Sequence, residues 1–273
     1  MPRFAANLSF LYQELPFLDR FSAAARDGFE AVECLFPYDV PAAELRARAS
    51  AQGLDIVLIN APPGDWAAGD RGLASVEGRE GEFRASIERA LAYASVVVAP
   101  RVHVLAGLLP EGSDRDAAIA RYEERLHWAA AQAASAGIGL TIEPINPHDI
   151  PGYLLQRQEE AHAVVERVGA SNLKVQMDLY HCARVEGDVV AQVRRYLPTG
   201  RVGHFQIAGV PDRHEPDHGS LDWRSALAAI DEIAAATGWD GWIGCEYRPR
   251  RGAVPGGTSA GLGWLFPTRR ENV

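Results

Sequence analysis

Glu143, Asp178, Gln206 and Glu246 each close a short apolar run and open a more polar stretch, in IGLTIEPIN, LKVQMDLYH, VGHFQIAGV and WIGCEYRP. The intervals between them are 35, 28 and 40 residues, and each can hold one strand–helix unit. Three carboxylates and an amide oxygen gathered at one end of a sheet would repel one another without a cation. An all-oxygen set suits a single hard divalent ion, Mg²⁺ or Mn²⁺. Taken singly, each residue reads equally well as a polar strand end at the surface. The repetition on four successive strands is what points to a metal centre.

The elements that would carry these residues alternate along the chain. Apolar runs at 4–8, 29–34, 54–59, 101–105, 138–143, 173–179, 202–207 and 242–246 predict eight strands. Helical stripes lie between them: Ile119, Tyr122, Leu126, Ala129 and Ala133; Ala161, Val164, Val165 and Val168; Trp223, Leu227, Ile230 and Ala234. Glycines 28, 53, 137, 169 and 238 stand just before strands, where helices end. A last helix is expected within 258–266. With no linker or composition break, residues 1–273 read as one domain. Eight alternating units imply a parallel sheet closed into an α/β (β/α)8 TIM barrel, whose chemistry collects at the C-terminal ends of the strands.

Strand phase supports the metal centre. Thr141 shares a face with Glu143, Gln176 with Asp178, His204 with Gln206 and Gly244 with Glu246, whereas the opposite phase is apolar. The second half of the barrel should therefore be polar inside.

Composition narrows the function. The formal net charge of −9, with no basic stripe, argues against a nucleic-acid surface. No long apolar run suggests a signal peptide or a membrane span. Cys34, Cys182 and Cys245 are odd in number and lack C-x-x-C spacing, which fits a reducing cytoplasm.

Longer strings carry a resemblance. FAANLSFLY (4–12), VECLFPYD (32–39), NAPPGDWAAGDRGLA (60–74), EPINPHDIPGYLL (143–155), LKVQMDLYHCARVEGD (173–188), HFQIAGVPDRHEPDHGSLDW (204–223) and GCEYRP (244–249) resemble the hydroxypyruvate isomerase family, including its 2-oxo-tetronate isomerase branch, among the xylose-isomerase-like barrels. The resemblance covers nearly the whole chain. It implies a metal-assisted proton shuttle interconverting hydroxypyruvate and tartronate semialdehyde, or the same chemistry on a substrate one carbon longer. In that reading Glu143 and Glu246 serve both as ligands and as acid/base groups, while Asp178 and Gln206 are ligands only. Related sugar epimerases carry a histidine where this chain has Gln206, which favours the isomerase branch. An abasic-site endonuclease shares the architecture but would need a histidine-rich, multi-zinc centre and a basic groove.

The expected substrate is a small hydroxy-carbonyl acid. His181 would contact its oxygen, and Asn7 and Glu33, at the ends of the first two strands, would bind it or brace its neighbours. For its carboxylate, Arg71, beside Trp66 on the long third loop, is expected to be the clamp, acting as that loop closes like a lid. Arg213 is expected to hold the neighbouring loop. His214 and His218 stand four apart but flank Pro216, so a helical ligand pair is not expected; His214 or Glu215 would shape the pocket. Residues 256–259, GGTS, could form an anion site ahead of the last helix, or simply a loop.

Overall fold

Short runs rich in β-branched and aliphatic residues form the strands, and the computed structural model, which describes residues 2–265, pairs eight of them in parallel. They are β1 (Arg3–Asn7), β2 (Ala31–Cys34), β3 (Asp55–Asn60), β4 (Arg101–His103), β5 (Gly139–Ile142), β6 (Leu173–Asp178), β7 (Val202–Ile207) and β8 (Trp242–Cys245). Each strand pairs with the next in sequence, and β1 pairs with β8 to close the barrel. All eight expected strands are present, with ends shifted by no more than two residues. The largest trim at a C-terminal end is β4: the ladder stops at His103, and Ala106 makes an antiparallel bridge to Gly72 instead.

The helices are α1 (Asp19–Arg26), α2 (Ala42–Ala51), α3 (Glu80–Val97), α4 (Arg115–Ser135), α5 (Gln158–Val168), α6 (Leu179–Glu186), α7 (Val189–Tyr196), α8 (Trp223–Thr237) and α9 (Gly257–Gly261). The expected stripes bury as amphipathic faces: Tyr122, Leu126, Ala129 and Ala133 on α4, and Ala161, Val164 and Val165 on α5. On α8 the buried face is Ala226, Ala229, Ile230 and Ile233, leaving Trp223 and Leu227 at its edge. Gly169 and Gly238 end α5 and α8 in the left-handed region, at φ 69° and 74°. The last helix is shorter than expected: α9 gives way to a 3-10 turn at Leu262–Trp264, and position 266 lies outside the described residues.

One element departs from the expected pattern. The run 173–179 was expected as strand, yet α6 starts at Leu179, directly after β6, because the Asp178 carboxylate accepts the Tyr180 N–H at 2.8 Å and caps it. His181 therefore sits on the first turn of a helix rather than in a loop.

Inside the barrel, side chains form layers. Ala5, Ala31, Val57 and Trp242 make a small apolar plug separate from the main core. Asn7 lies one pleat above Ala5, Glu33 above Ala31 and Gly244 above Trp242, so the next layer is polar. A Cβ on Gly244 would collide with the Glu33 carboxylate, and only glycine leaves room for it. No helix among the described residues is long and apolar enough to cross a membrane.

Candidate active site

Glu143 follows β5, Asp178 ends β6, Gln206 lies near the end of β7, and Glu246 follows β8. All four are buried, with exposures of 5%, 0%, 2% and 8%, so they are not surface strand ends. Hydrogen bonds join them. Gln206 Nε2 donates to Glu246 Oε2 at 2.6 Å, and Gln176 Nε2 donates to Gln206 Oε1 at 2.8 Å and to Glu143 Oε2 at 3.1 Å. Arg213 brings in Asp178: its Nη2 is 2.6 Å from Glu246 Oε1 and 3.5 Å from Asp178 Oδ2.

The polar layer extends into the half of the barrel that strand phase had not marked as polar. Asn7 Nδ2 donates to Glu33 Oε1 and to Glu246 Oε2, both at 2.8 Å; Gln206 Nε2 reaches Glu33 at 2.7 Å; His204 Nε2 meets the other Glu33 oxygen at 2.7 Å. Asn7 and Glu33 were expected to bind substrate or to brace its neighbours, and neither lines the cavity at the mouth. They lie beneath Glu246 and act through it.

That cavity, of about 500 Å³, opens above this polar layer. Phe10, Phe36, Trp66 and Tyr180 wall it, while Asn60, His103, Glu143, His181, Arg213 and Glu246 face it. Arg71 also lines it, with one arm of its guanidinium turned back to its own loop. It stacks 3.9 Å over Trp66 and donates to the carbonyls of Trp66 (3.1 Å) and Asp70 (2.7 Å). Arg213 instead points into the site and also reaches Asp149 at 3.1 Å. Both arginines therefore line the cavity, Arg71 stacked back on its own loop and Arg213 set among the acidic groups. Arg213 gets there through a left-handed backbone, φ 56°, held by its N–H on the Gly209 carbonyl and its carbonyl on the Arg248 N–H.

Other expected features serve the scaffold. His214 Nδ1 pairs with the Arg248 carbonyl, and exposed His218 lies 3.8 Å from Asp217, so they form no ligand pair. Glu215 accepts the Arg250 N–H, rather than shaping the pocket. In the GGTS segment, Thr258 accepts the Tyr12 N–H at 2.8 Å and Ser259 donates to Asp27 at 2.6 Å, so this stretch is tied to the first βα loop and to the end of α1.

Gln176, His204, His103 and Asn146 belong to the site, and no role was expected of them. For the first two the signal was there: each sits two residues before an expected ligand, on the same strand face. His103 ends its strand just as Asn7 does. Asn146 showed only as part of the EPINPHD string.

Burial sets the electrostatics. It raises Glu143 well above the usual carboxylate range, reinforced by Asp178 and Glu246. Burial also pushes Glu246 up to about 8 and Asp178 up to about 6, with Arg213 opposing both shifts. His103 falls to about 3 and His181 well below its ordinary value, again through burial, so both imidazoles are neutral. Burial works against the charge on Arg213, but Glu246, Asp178 and Asp149 outweigh it.

A divalent cation fits this place. Glu143, Asp178 and His181 offer ligand atoms within 4.8 Å of one another. Glu143 Oε1 and Asp178 Oδ2 are buried and have no hydrogen-bond partner, which costs free energy unless a cation or substrate group meets them.

A closed parallel barrel with a carboxylate cluster at its C-terminal mouth defines a class, and the comparisons name it. The xylose isomerase-like TIM barrel family model matches residues 21–268, and the chain belongs to that family. Relatives matching over nearly full length are named isomerases, and the chain is that of an enzyme. It is 57% identical to a 2-oxo-tetronate isomerase of Cupriavidus necator, covering 98% of both chains. It is 39% identical to a hydroxypyruvate isomerase of Escherichia coli, covering 98% of this chain and 100% of the other. A crystal structure described as AP endonuclease, family 2, from Brucella melitensis superposes with a TM-score of 0.91 at 43% identity, over 98% of this chain and 100% of that one.

Proposed function

We propose that this protein is a metal-dependent isomerase of small hydroxy-carbonyl acids and that its substrate is the four-carbon 2-oxo-tetronate. The observation that carries the chemistry is the pair of buried glutamates, Glu143 and Glu246, facing one cavity with Arg213 beside them. The four-carbon substrate is favoured by the 57% identity to a 2-oxo-tetronate isomerase, against 39% to a hydroxypyruvate isomerase. Hydroxypyruvate, the three-carbon analogue, is the second reading, supported by the latter relative.

Glu143 and Asp178 would hold Mg²⁺ or Mn²⁺ through the oxygens that accept no hydrogen bond, joined by Glu246 and the Gln206 carbonyl oxygen. Such an ion polarises a carbonyl and stabilises the negative charge of an enediolate. The protein's own groups do the rest. One glutamate takes the proton from the hydroxyl-bearing carbon, and the other returns a proton to the former carbonyl carbon. The hydroxyl proton passes from one substrate oxygen to the other, so the net change is one carbonyl moved by one carbon. Asn7 and Gln206 hold the Glu246 carboxylate in place from below, and Gln176 does the same for Glu143. Arg213 binds the acid end of the substrate through its planar fork. The aromatic walls keep water from the enediolate.

An endonuclease reading has less support. The ligand cluster contains a single histidine, and the formal charge is −9. A cytoplasmic location fits the three buried free thiols.

Parallel assays on the two acids test the proposal. The expected result is a higher kcat/KM for 2-oxo-tetronate. A preference for hydroxypyruvate would move the substrate assignment to the three-carbon acid, and turnover of neither would overturn the proposal.

A further inference from the structure

Asn146, in the EPINPHD segment after β5, takes no part in the proton shuttle, yet it is fully buried beside it. Its own loop fixes the orientation of its carboxamide, because Oδ1 accepts the backbone N–H of His148 and of Asp149, each at 3.0 Å. Nδ2 is then the group facing His181, 2.6 Å from its Nδ1. The backbone N–H of Asn146 points at the same nitrogen from 3.4 Å. Both groups can only donate, so Nδ1 must present its lone pair to them. A neutral imidazole has one ring proton, which leaves it on Nε2.

Nε2 faces the centre of the site, 3.6 Å from Asp178 Oδ2 and 4.0 Å from Glu143 Oε1. These are the two oxygens without hydrogen-bond partners, and both distances are too long for a hydrogen bond from His181. By distance alone His181 would count as a third metal ligand. A protonated nitrogen cannot bind a metal.

We infer that Asn146 is a positioning residue that fixes His181 as the Nε2–H tautomer, keeping it out of the metal's ligand set and aiming its N–H at a substrate oxygen. This deepens the isomerase reading and rests on it for the substrate's part; the tautomer and the ligand set are properties of the protein alone. The arrangement separates two roles within a few ångströms. The carboxylates are left to take the cation, and the imidazole supplies a neutral donor to the oxygen where charge develops.

Asn146→Asp tests this with little disturbance, since a carboxylate oxygen can still accept the His148 and Asp149 N–H groups. Toward His181 the variant replaces the close donor at 2.6 Å with an acceptor and leaves only the long backbone contact at 3.4 Å, so the ring proton should move to Nδ1. Long-range ¹H–¹⁵N spectra of metal-free, ¹⁵N-histidine-labelled protein, with His181 assigned by its loss in His181→Gln, report the tautomer directly. The expected result is Nε2–H in the wild type and Nδ1–H in Asn146→Asp. A wild-type His181 protonated at Nδ1, or at both nitrogens at neutral pH, overturns the inference, and this spectrum decides even if the variant fails to fold. Metal titration gives a second readout. With the Nε2 lone pair exposed, Zn²⁺ affinity should rise about tenfold or more beyond any rise for Mg²⁺, because imidazole suits zinc. An equal rise for both ions would reflect the added charge alone and count against the inference. In turnover, kcat should fall by about 10²–10³-fold with little change in KM. An unchanged kcat with the tautomer switched would overturn the donor role and leave the isomerase reading standing. If the wild type isomerises neither acid, that reading fails, and the spectrum and titration still decide the tautomer and the ligand set.

Discussion

Arg213 is held in a left-handed backbone that costs a non-glycine residue about 1–3 kcal/mol, and its guanidinium is set among Glu246, Asp178 and Asp149. That investment makes sense if the guanidinium meets the substrate's carboxylate. Arg213→Met should raise KM for the acid substrate by about ten- to a hundredfold, the loss of a charge-assisted bond of ~1.5–3 kcal/mol, while Arg71→Met should change it far less. The reverse order in steady-state kinetics would return the clamp to the Trp66 loop. Glu143→Gln and Glu246→Gln retain an oxygen but lose the base, so each should lower kcat by ~10²–10⁴-fold. Near-normal kcat in both would refute the shuttle. The four ligand candidates were legible in the sequence because each ends an apolar run, a signal local to a few residues. The set of the two guanidinium groups, Arg71 on Trp66 and Arg213 among the acids, was not. Both lie in loops, where direction depends on backbone dihedrals and on stacking partners such as Trp66 that spacing does not reveal.

At the scale of elements, strands and stripes were legible because period 2 and period 3.6 are written in consecutive residues. The start of α6 was not, since Leu179 extends the apolar run of β6 and only the cap made by Asp178 ends the strand. Nor was the role of α9, whose Thr258 satisfies the buried N–H of Tyr12 from 246 residues away. Thr258→Val keeps the shape and removes the acceptor, and urea denaturation should show a loss of ~1–3 kcal/mol. No change in stability would mean that Tyr12 finds another partner. On α5, His162 is buried and stacks 3.9 Å from the Tyr196 ring of α7, with neither ring nitrogen hydrogen-bonded. Burial lowers it to about 3, from an ordinary value near 6.5. Between those values the unfolded chain binds a proton that the folded chain refuses. Its contribution is therefore complete above about pH 6.5 and falls by about 1.4 kcal/mol per pH unit on acidification toward pH 3. His162→Phe should flatten the fall in stability between pH 6.5 and 4, and an unchanged slope would contradict this account.

For the molecule as a whole, the barrel interior above the Ala5, Ala31, Val57 and Trp242 plug is a polar layer where aliphatic packing would be more stabilising. Glu33, Glu143, Asp178 and Glu246 are all buried in it, and Arg213 is the side chain that pairs with two of them. The acids of the second half were foreseeable from strand phase, as were Gln176 and His204 beside them, whereas Glu33 and the bonds by which Asn7 joins it to Glu246 depend on barrel closure. A divalent ion should bind this layer and stabilise the fold by mass action. The most direct measurement is isomerisation of 2-oxo-tetronate by protein stripped of metal, followed by titration with Mn²⁺ or Mg²⁺. The account predicts no turnover after stripping, recovery on addition of either ion, and a rise in Tm over the same concentration range. Full turnover by thoroughly stripped protein would contradict it.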